Sequence, residues 1–116
     1  STDISRRGVA RLSGREAPVM EDNETELSQL LERIARSIDF MESITAAELD
    51  GAEDREIRLP IPGSMGGGER VFEGEDFLRS FVLPNAYFHV TTAFAILRHN
   101  GVPIGKFDYL LGEDAP

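Results

Sequence analysis

An eighteen-residue stretch without formal charge, residues 80–97, is the feature that most constrains how this chain folds. Its length is close to the ~18 residues with which a helix crosses a membrane. The stretch nevertheless contains Pro84, Asn85 and His89, and polar groups of this kind need hydrogen-bond partners in lipid. We therefore expect no membrane span but a helix that is buried on most sides, either within a bundle or at a subunit interface.

Composition limits the classes of function that the chain can serve. Its 116 residues fit one domain, and the absence of cysteine excludes a disulfide scaffold, a thiol nucleophile and Cys-ligated metal sites. The net charge of −9 argues against nucleic acid or an anionic membrane as the main partner, although residues 1–20 carry four arginines and only two acidic residues. The polar N-terminal stretch does not resemble a signal peptide, so we expect a cytoplasmic protein.

Periodic apolar positions predict three helices. The clearest helix covers about residues 25–44, with Asn23 or Thr25 at its N-cap and its apolar stripe facing the core. A short helix is predicted over about 3–13 and ends at Gly14, and a long one over about 75–99 is kinked at Pro84. The stripe of the clearest helix consists of seven residues: Leu27, Leu30, Leu31, Ile34, Ile38, Met41 and Ile44.

The segment between the two long helices changes to the alternating pattern of β-strands. This pattern predicts a hairpin over about residues 55–73, whose loop, residues 60–68, is rich in glycine and proline. No Lys followed by Ser or Thr comes after the glycines, so the loop is not a Walker-type phosphate loop. We expect the tail, residues 102–111, to fold back onto the helices.

The candidate site residues are His89 and its helical neighbours Asn85 and Thr92, which form a polar stripe on an otherwise apolar helix. Two interpretations stay open. His89 is either a core histidine that bonds Asn85, Thr92 or nearby backbone, or a ligand-binding or metal-binding residue inside a bundle. His99 lies at the end of the same helix, about 15 Å further along the axis, so the two histidines do not share one metal ion.

Three segments of the sequence carry a family resemblance: MEDNETELSQLLERIARSIDFMES, GAEDREIRLP and PNAYFHVTTAFAILRHNGVPIGKFDYL. Together they resemble an uncharacterised bacterial branch of the DinB/YfiT-like superfamily, a domain of unknown function, over nearly the whole chain. The resemblance implies a mainly α fold, a four-helix bundle with a small β-hairpin before the last helix. It also implies a single domain over residues 1–116 that lacks the first helix and half of the second, roughly 50 residues.

The resemblance also implies a weakened metal site. The best-known members of the superfamily bind a divalent metal through three histidines, two of them in an H-x-x-x-H motif on the last helix, and some are thiol-dependent transferases. In this chain the motif reads Asn85-x-x-x-His89, so an asparagine stands in place of the first histidine. A site with His89 as its one imidazole would hold zinc or nickel weakly. The resemblance therefore favours no cofactor, with a divalent metal as the alternative.

Two hypotheses about function follow. The first is a non-catalytic or small-ligand-binding helical domain that forms a homodimer through the stretch 77–97, because an apolar helix with few neighbours needs a partner. The second is a metal-dependent DinB-like enzyme, a thiol-dependent transferase or a hydrolase, that uses His89. The sequence identifies neither the substrate nor the ligand.

Overall fold

The computed structural model describes residues 2–112 and consists mainly of helices, with one two-stranded hairpin. The predicted mainly α fold with a small hairpin is therefore confirmed, and the predicted boundaries agree to within two residues. In chain order the elements are α1 (Thr2–Ser13), α2 (Leu27–Glu42), α3 (Ala46–Leu49), β1 (Glu56–Pro60), β2 (Glu69–Glu73), α4 (Gly74–His99) and α5 (Lys106–Leu111).

The start of α2 is set by a side chain of its first turn. The Gln29 amide oxygen accepts hydrogen bonds from the backbone N–H groups of Thr25 and Glu26, at 2.8 and 3.1 Å. These bonds satisfy backbone donors that have no partner within the helix. The helix therefore begins at Leu27, two residues after the predicted start.

The core lies between α1, the hairpin and the first turns of α4. β1 and β2 are antiparallel, with Ile57 opposite Phe72, and this pair points into the core. The Phe72 ring meets the Phe77 ring edge to face at 5.5 Å, and Phe81 stacks on Phe77 at the same centroid distance. The buried core residues are Leu12, Ile57, Phe72, Phe77 and Val82.

The prediction that the apolar stripe of α2 faces the core is wrong for residues 2–112. Leu27 is 71% exposed and Leu31 is 57% exposed. α2 packs against α1 through its polar side instead, and there Arg33 and Ser37 are buried. The reason is an ion pair, since the Arg33 guanidinium lies 2.9 Å from the Asp3 carboxylate of α1 and draws that side of α2 inward.

The interruption predicted at Pro84 is a wide turn rather than a break in α4. The segment Phe77–Val82 is π-helical, and the Leu83 N–H donates to the Leu78 carbonyl, five residues back. Pro84 has no N–H to donate to a carbonyl of the preceding turn. The π turn immediately before it accommodates this missing hydrogen bond, so α4 continues as one helix.

The second half of α4 is exposed, so the described residues do not enclose this helix within a bundle, and its burial at a subunit interface stays a prediction. No residue of the segment Leu83–His99 is buried. Its contact with the tail includes Phe94 and Tyr109, whose rings meet edge to face at 5.8 Å. Among residues 2–112, α4 is the one helix long and apolar enough to cross a membrane, with a mean hydropathy of 1.2 and 6% of that window buried. Length and composition alone are weak grounds for a membrane span.

Candidate functional site

The three candidate residues lie on one side of the exposed half of α4, as the helical period requires. Asn85 is half-buried, whereas His89 and Thr92 are exposed. The Thr92 hydroxyl donates to the Phe88 carbonyl at 2.7 Å, and the His89 ring meets the Phe88 ring edge to face at 5.4 Å. His89 is exposed, and among the hydrogen bonds of the described residues none joins it to Asn85 or Thr92.

An apolar groove of about 570 Å³ runs along α4 next to the candidate residues. Tyr87 and Phe88 project at its sides, and Thr91 and Ala95 form a low floor one turn further along. Thr92 belongs both to this groove and to the polar stripe. We define the α4 face as Pro84, Tyr87, Phe88, Thr91, Thr92 and Ala95.

The residues around His89 do not fit the metal centre that the superfamily resemblance implies. Such a site needs three or more ligands from His, Cys, Asp or Glu. Within residues 2–112 no group of three such side chains is placed to hold a metal ion. His89 contributes one imidazole and Asn85 one amide, a weak set for zinc or nickel.

A buried ionic cluster at the interface of α1 and α2 was missed by the sequence reasoning. The Asp3 carboxylate accepts from Arg6 at 2.8 Å and from Arg33 at 2.9 Å, and Arg33 also donates to Glu24 at 2.7 Å. These bonds raise the pKa of Arg33, and the bond from Arg33 lowers the pKa of Glu24. The signal in the sequence was the arginine excess of residues 1–20, but a charge run is usually solvent-exposed.

Comparison with known proteins gives the chain a family context. The profile of the family DUF1993, a domain of unknown function, matches residues 1–110. The chain is also similar to a solved structure, a DinB family member protein from Shewanella denitrificans, with 38% sequence identity and a TM-score of 0.81. That similarity covers 99% of this chain and 64% of the Shewanella chain, so the present sequence spans less than two thirds of its relative. No curated protein matches the chain.

Proposed function

The chain belongs to the DUF1993 family, an uncharacterised DinB-like branch, and on that premise we propose that it is a non-catalytic helical domain. In this proposal two copies assemble through the α4 face, and a small ligand binds beside Asn85 and His89. The single observation that carries the proposal is the exposed, apolar second half of α4, in which no residue is buried.

The apolar area that α4 and α5 expose as a whole exceeds one side of a standard interface, and Tyr87 and Phe88 are its two members on the α4 face. Ten large apolar residues of α4 and α5 are about half exposed on average, which corresponds to roughly 900 Å² of accessible surface. A standard protein interface buries about 800 Å² on each partner. At ~25 cal/mol per Å², even a third of this surface represents several kcal/mol when it is removed from water. The residues are Leu83, Tyr87, Phe88, Val90, Ile96, Leu97, Phe107, Tyr109, Leu110 and Leu111.

The shape of the α4 face favours a second copy of the same chain as the partner. Aromatic side chains at Tyr87 and Phe88 project beside small residues at Thr91 and Ala95. Around a two-fold axis the same patch meets itself, so the aromatic rings of one copy pack onto the small residues of the other. The α4 face also carries no formal charge, so this pairing brings no like charges together.

Pairing through the α4 face would also create the ligand site. The groove is open in a single copy, and a second helix laid along it would enclose the space beside Asn85 and His89. Enclosed sites of this kind bind small molecules through an apolar wall and a few polar groups. Asn85 offers an amide and His89 an imidazole, and together they supply both donors and acceptors.

Light scattering at micromolar concentration tests the assembly. We expect the wild-type chain to give about twice its mass of 12.8 kDa. Phe88→Glu places a charge in the interface and should give the monomer mass, because a charge without a partner is costly to bury. Since Phe88 is 66% exposed, this change leaves the fold of one copy intact. Met65→Glu is the matched control on the 76% exposed loop residue, and it should remain dimeric.

Metal analysis tests the non-catalytic role separately. Protein purified without a nickel column should contain less than about a tenth of an equivalent of zinc, nickel or iron. The spacing Asn85-x-x-x-His89 puts both side chains on one side of α4, and this observation favours the metal-dependent enzyme as the second candidate. Stoichiometric metal that disappears in His89→Ala would support that enzyme and overturn the non-catalytic proposal.

A further inference from the structure

A second groove lies along α1 and shares no residue with the α4 face. It has a volume of about 420 Å³ and runs between α1 and the connector that follows it. Arg7 and Arg11, one helical turn apart on α1, line one side of it. Glu16, Ala17, Pro18 and Val19 of the connector line the other side, and Glu16 is the one acidic residue of this lining. We call this space the arginine groove.

The connector that forms the wall of the arginine groove is held in place at its start. Gly14 adopts a left-handed conformation, with φ of 74°, and the Arg15 N–H donates to the Ala10 carbonyl at 2.9 Å. This is a Schellman motif, which turns the chain back along the helix. The Arg15 side chain then donates to the Ser43 hydroxyl at 3.0 Å and lies 3.7 Å from the Glu48 carboxylate. The charge of Arg15 is therefore already paired.

The two arginines on the helix side of the groove have little compensating charge. Arg7 lies 3.6 Å from Asp3, but the same carboxylate also pairs with Arg6 at 2.8 Å and with Arg33 at 2.9 Å. Across residues 2–112 no carboxylate lies within 4.0 Å of the Arg11 guanidinium. Arg33 is also paired with Asp22 and Glu24, so the guanidiniums left with a long contact or none are Arg7 and Arg11, and both lie beside the groove that Glu16 also lines.

Arg6, the neighbour of Arg7 on α1, does not line the groove but is a further guanidinium that is only partly compensated. Its side chain is fully buried, and within the described residues its Nε and Nη1 atoms have no hydrogen-bond acceptor. Burial lowers the pKa of Arg6, and the positive charges of Arg33, Arg7 and Arg36 lower it further against the opposing effect of Asp3.

We propose that the arginine groove binds a small organic phosphate. Guanidinium groups bind phosphate oxygens through paired, charge-assisted hydrogen bonds, and Arg7 and Arg11 present two such groups on one side of a helix. The wall of Ala17, Pro18 and Val19 contacts the organic part of the ligand. The volume of the groove fits one small molecule. The net charge of −9 disfavours a long polyanion such as nucleic acid.

Titration with phenyl phosphate, followed by amide chemical shifts in NMR, tests the proposal. We expect saturable shifts at residues 7–19. In the double variant Arg7→Gln/Arg11→Gln the affinity should fall by at least about tenfold, because each charge-assisted hydrogen bond to phosphate is lost. The matched control is Arg58→Gln/Arg79→Gln, which removes the same charge from exposed arginines outside the groove. It should change the affinity by less than about twofold.

Further arms of the experiment keep the proposal testable if the double variant does not fold. Arg11→Lys retains the charge but loses the planar fork, so it should weaken binding severalfold. Inorganic phosphate should bind more weakly than phenyl phosphate, since it makes no contact with the apolar wall. Equal losses in both double variants, equal affinity for the two probes, or shifts outside the groove would overturn the proposal.

Discussion

Replacing Gly74 with alanine tests the packing that joins the hairpin to α4. Gly74 is the first residue of α4, and a Cβ atom built on it would lie 1.7 Å from the Ala52 carbonyl oxygen and 2.9 Å from its carbon. Both contacts are with backbone, so no side-chain rotation relieves them. The turn that contains Ala52 and the start of α4 must therefore separate by more than about 1 Å, which exposes part of the core.

The expected cost of Gly74→Ala follows from two opposing effects. Overpacking of this kind lowers the free energy of unfolding by about 3 kcal/mol, and the better helix propensity of alanine offsets up to ~1 kcal/mol of this loss. A net loss of about 2 kcal/mol lowers the melting temperature by roughly 10 °C in a domain of this size.

Chemical denaturation and a thermal melt measure this loss. The matched control is Gly63→Ala, because Gly63 has no positive φ and no atom within 4 Å of the added Cβ. We expect the control to stay within about 0.5 kcal/mol of the wild type. A Gly74→Ala variant as stable as this control would refute the argument from close backbone approach.

Three other perturbations test the packing and the ionic cluster. Phe77→Ala should cost about 3–5 kcal/mol in chemical denaturation, because Phe77 is 1% exposed and stacks on Phe81. Leu31→Ala should cost less than about 1 kcal/mol in the monomer, and a larger loss would place the α2 stripe in a core. Burial raises the pKa of Asp3, but the hydrogen bond from Arg33 and nearby arginine charges outweigh it and lower the pKa below 3.8. The stability that Asp3 contributes is therefore complete above its unfolded-state pKa and is lost as pH falls through the lower folded-state value. The unfolding free energy of the wild type relative to Asp3→Asn should be constant above about pH 5 and shrink below about pH 4. A pH-independent difference would contradict the ion-pair account.

Local patterns in the sequence were sufficient to predict the elements. The helix that became α2 was expected at about 25–44 and is observed at Leu27–Glu42, because its boundaries depend on capping groups near it in sequence. Gly14 was expected to end the first helix and does so in a Schellman motif. The hairpin was predicted from alternation alone, and its strands pair as that pattern requires.

The identity of the buried faces was not predictable in the same way. Which face of a helix is buried depends on the element that packs against it, and that element is distant in sequence. Here α1 packs against the polar side of α2 because Asp3 pairs with Arg33. The hydropathy pattern alone predicts exposed arginines and buried leucines, whereas in the structure Arg6 is buried and Leu31 is 57% exposed.

The candidate site shows the same division between local and distant information. Helical spacing correctly places Asn85, His89 and Thr92 on one side of α4, but it contains no information about what covers that side. In the proposed function a second copy encloses His89, and for this reason the assembly of the chain is the central claim of that proposal.

Disulfide cross-linking tests this claim most directly, because the chain has no cysteine of its own. A single cysteine is introduced at Thr91 or at Ala95 on the α4 face, and a control chain carries Met65→Cys on the exposed loop. If two copies pair through the α4 face, mild oxidation of Thr91→Cys or Ala95→Cys should give a covalent dimer rapidly and in high yield, since the two-fold axis brings the α4 faces of the two copies into contact. The Met65→Cys control should cross-link slowly and in proportion to protein concentration. Cross-linking of both α4 variants at the rate of this control, or the absence of a covalent dimer, would contradict the account.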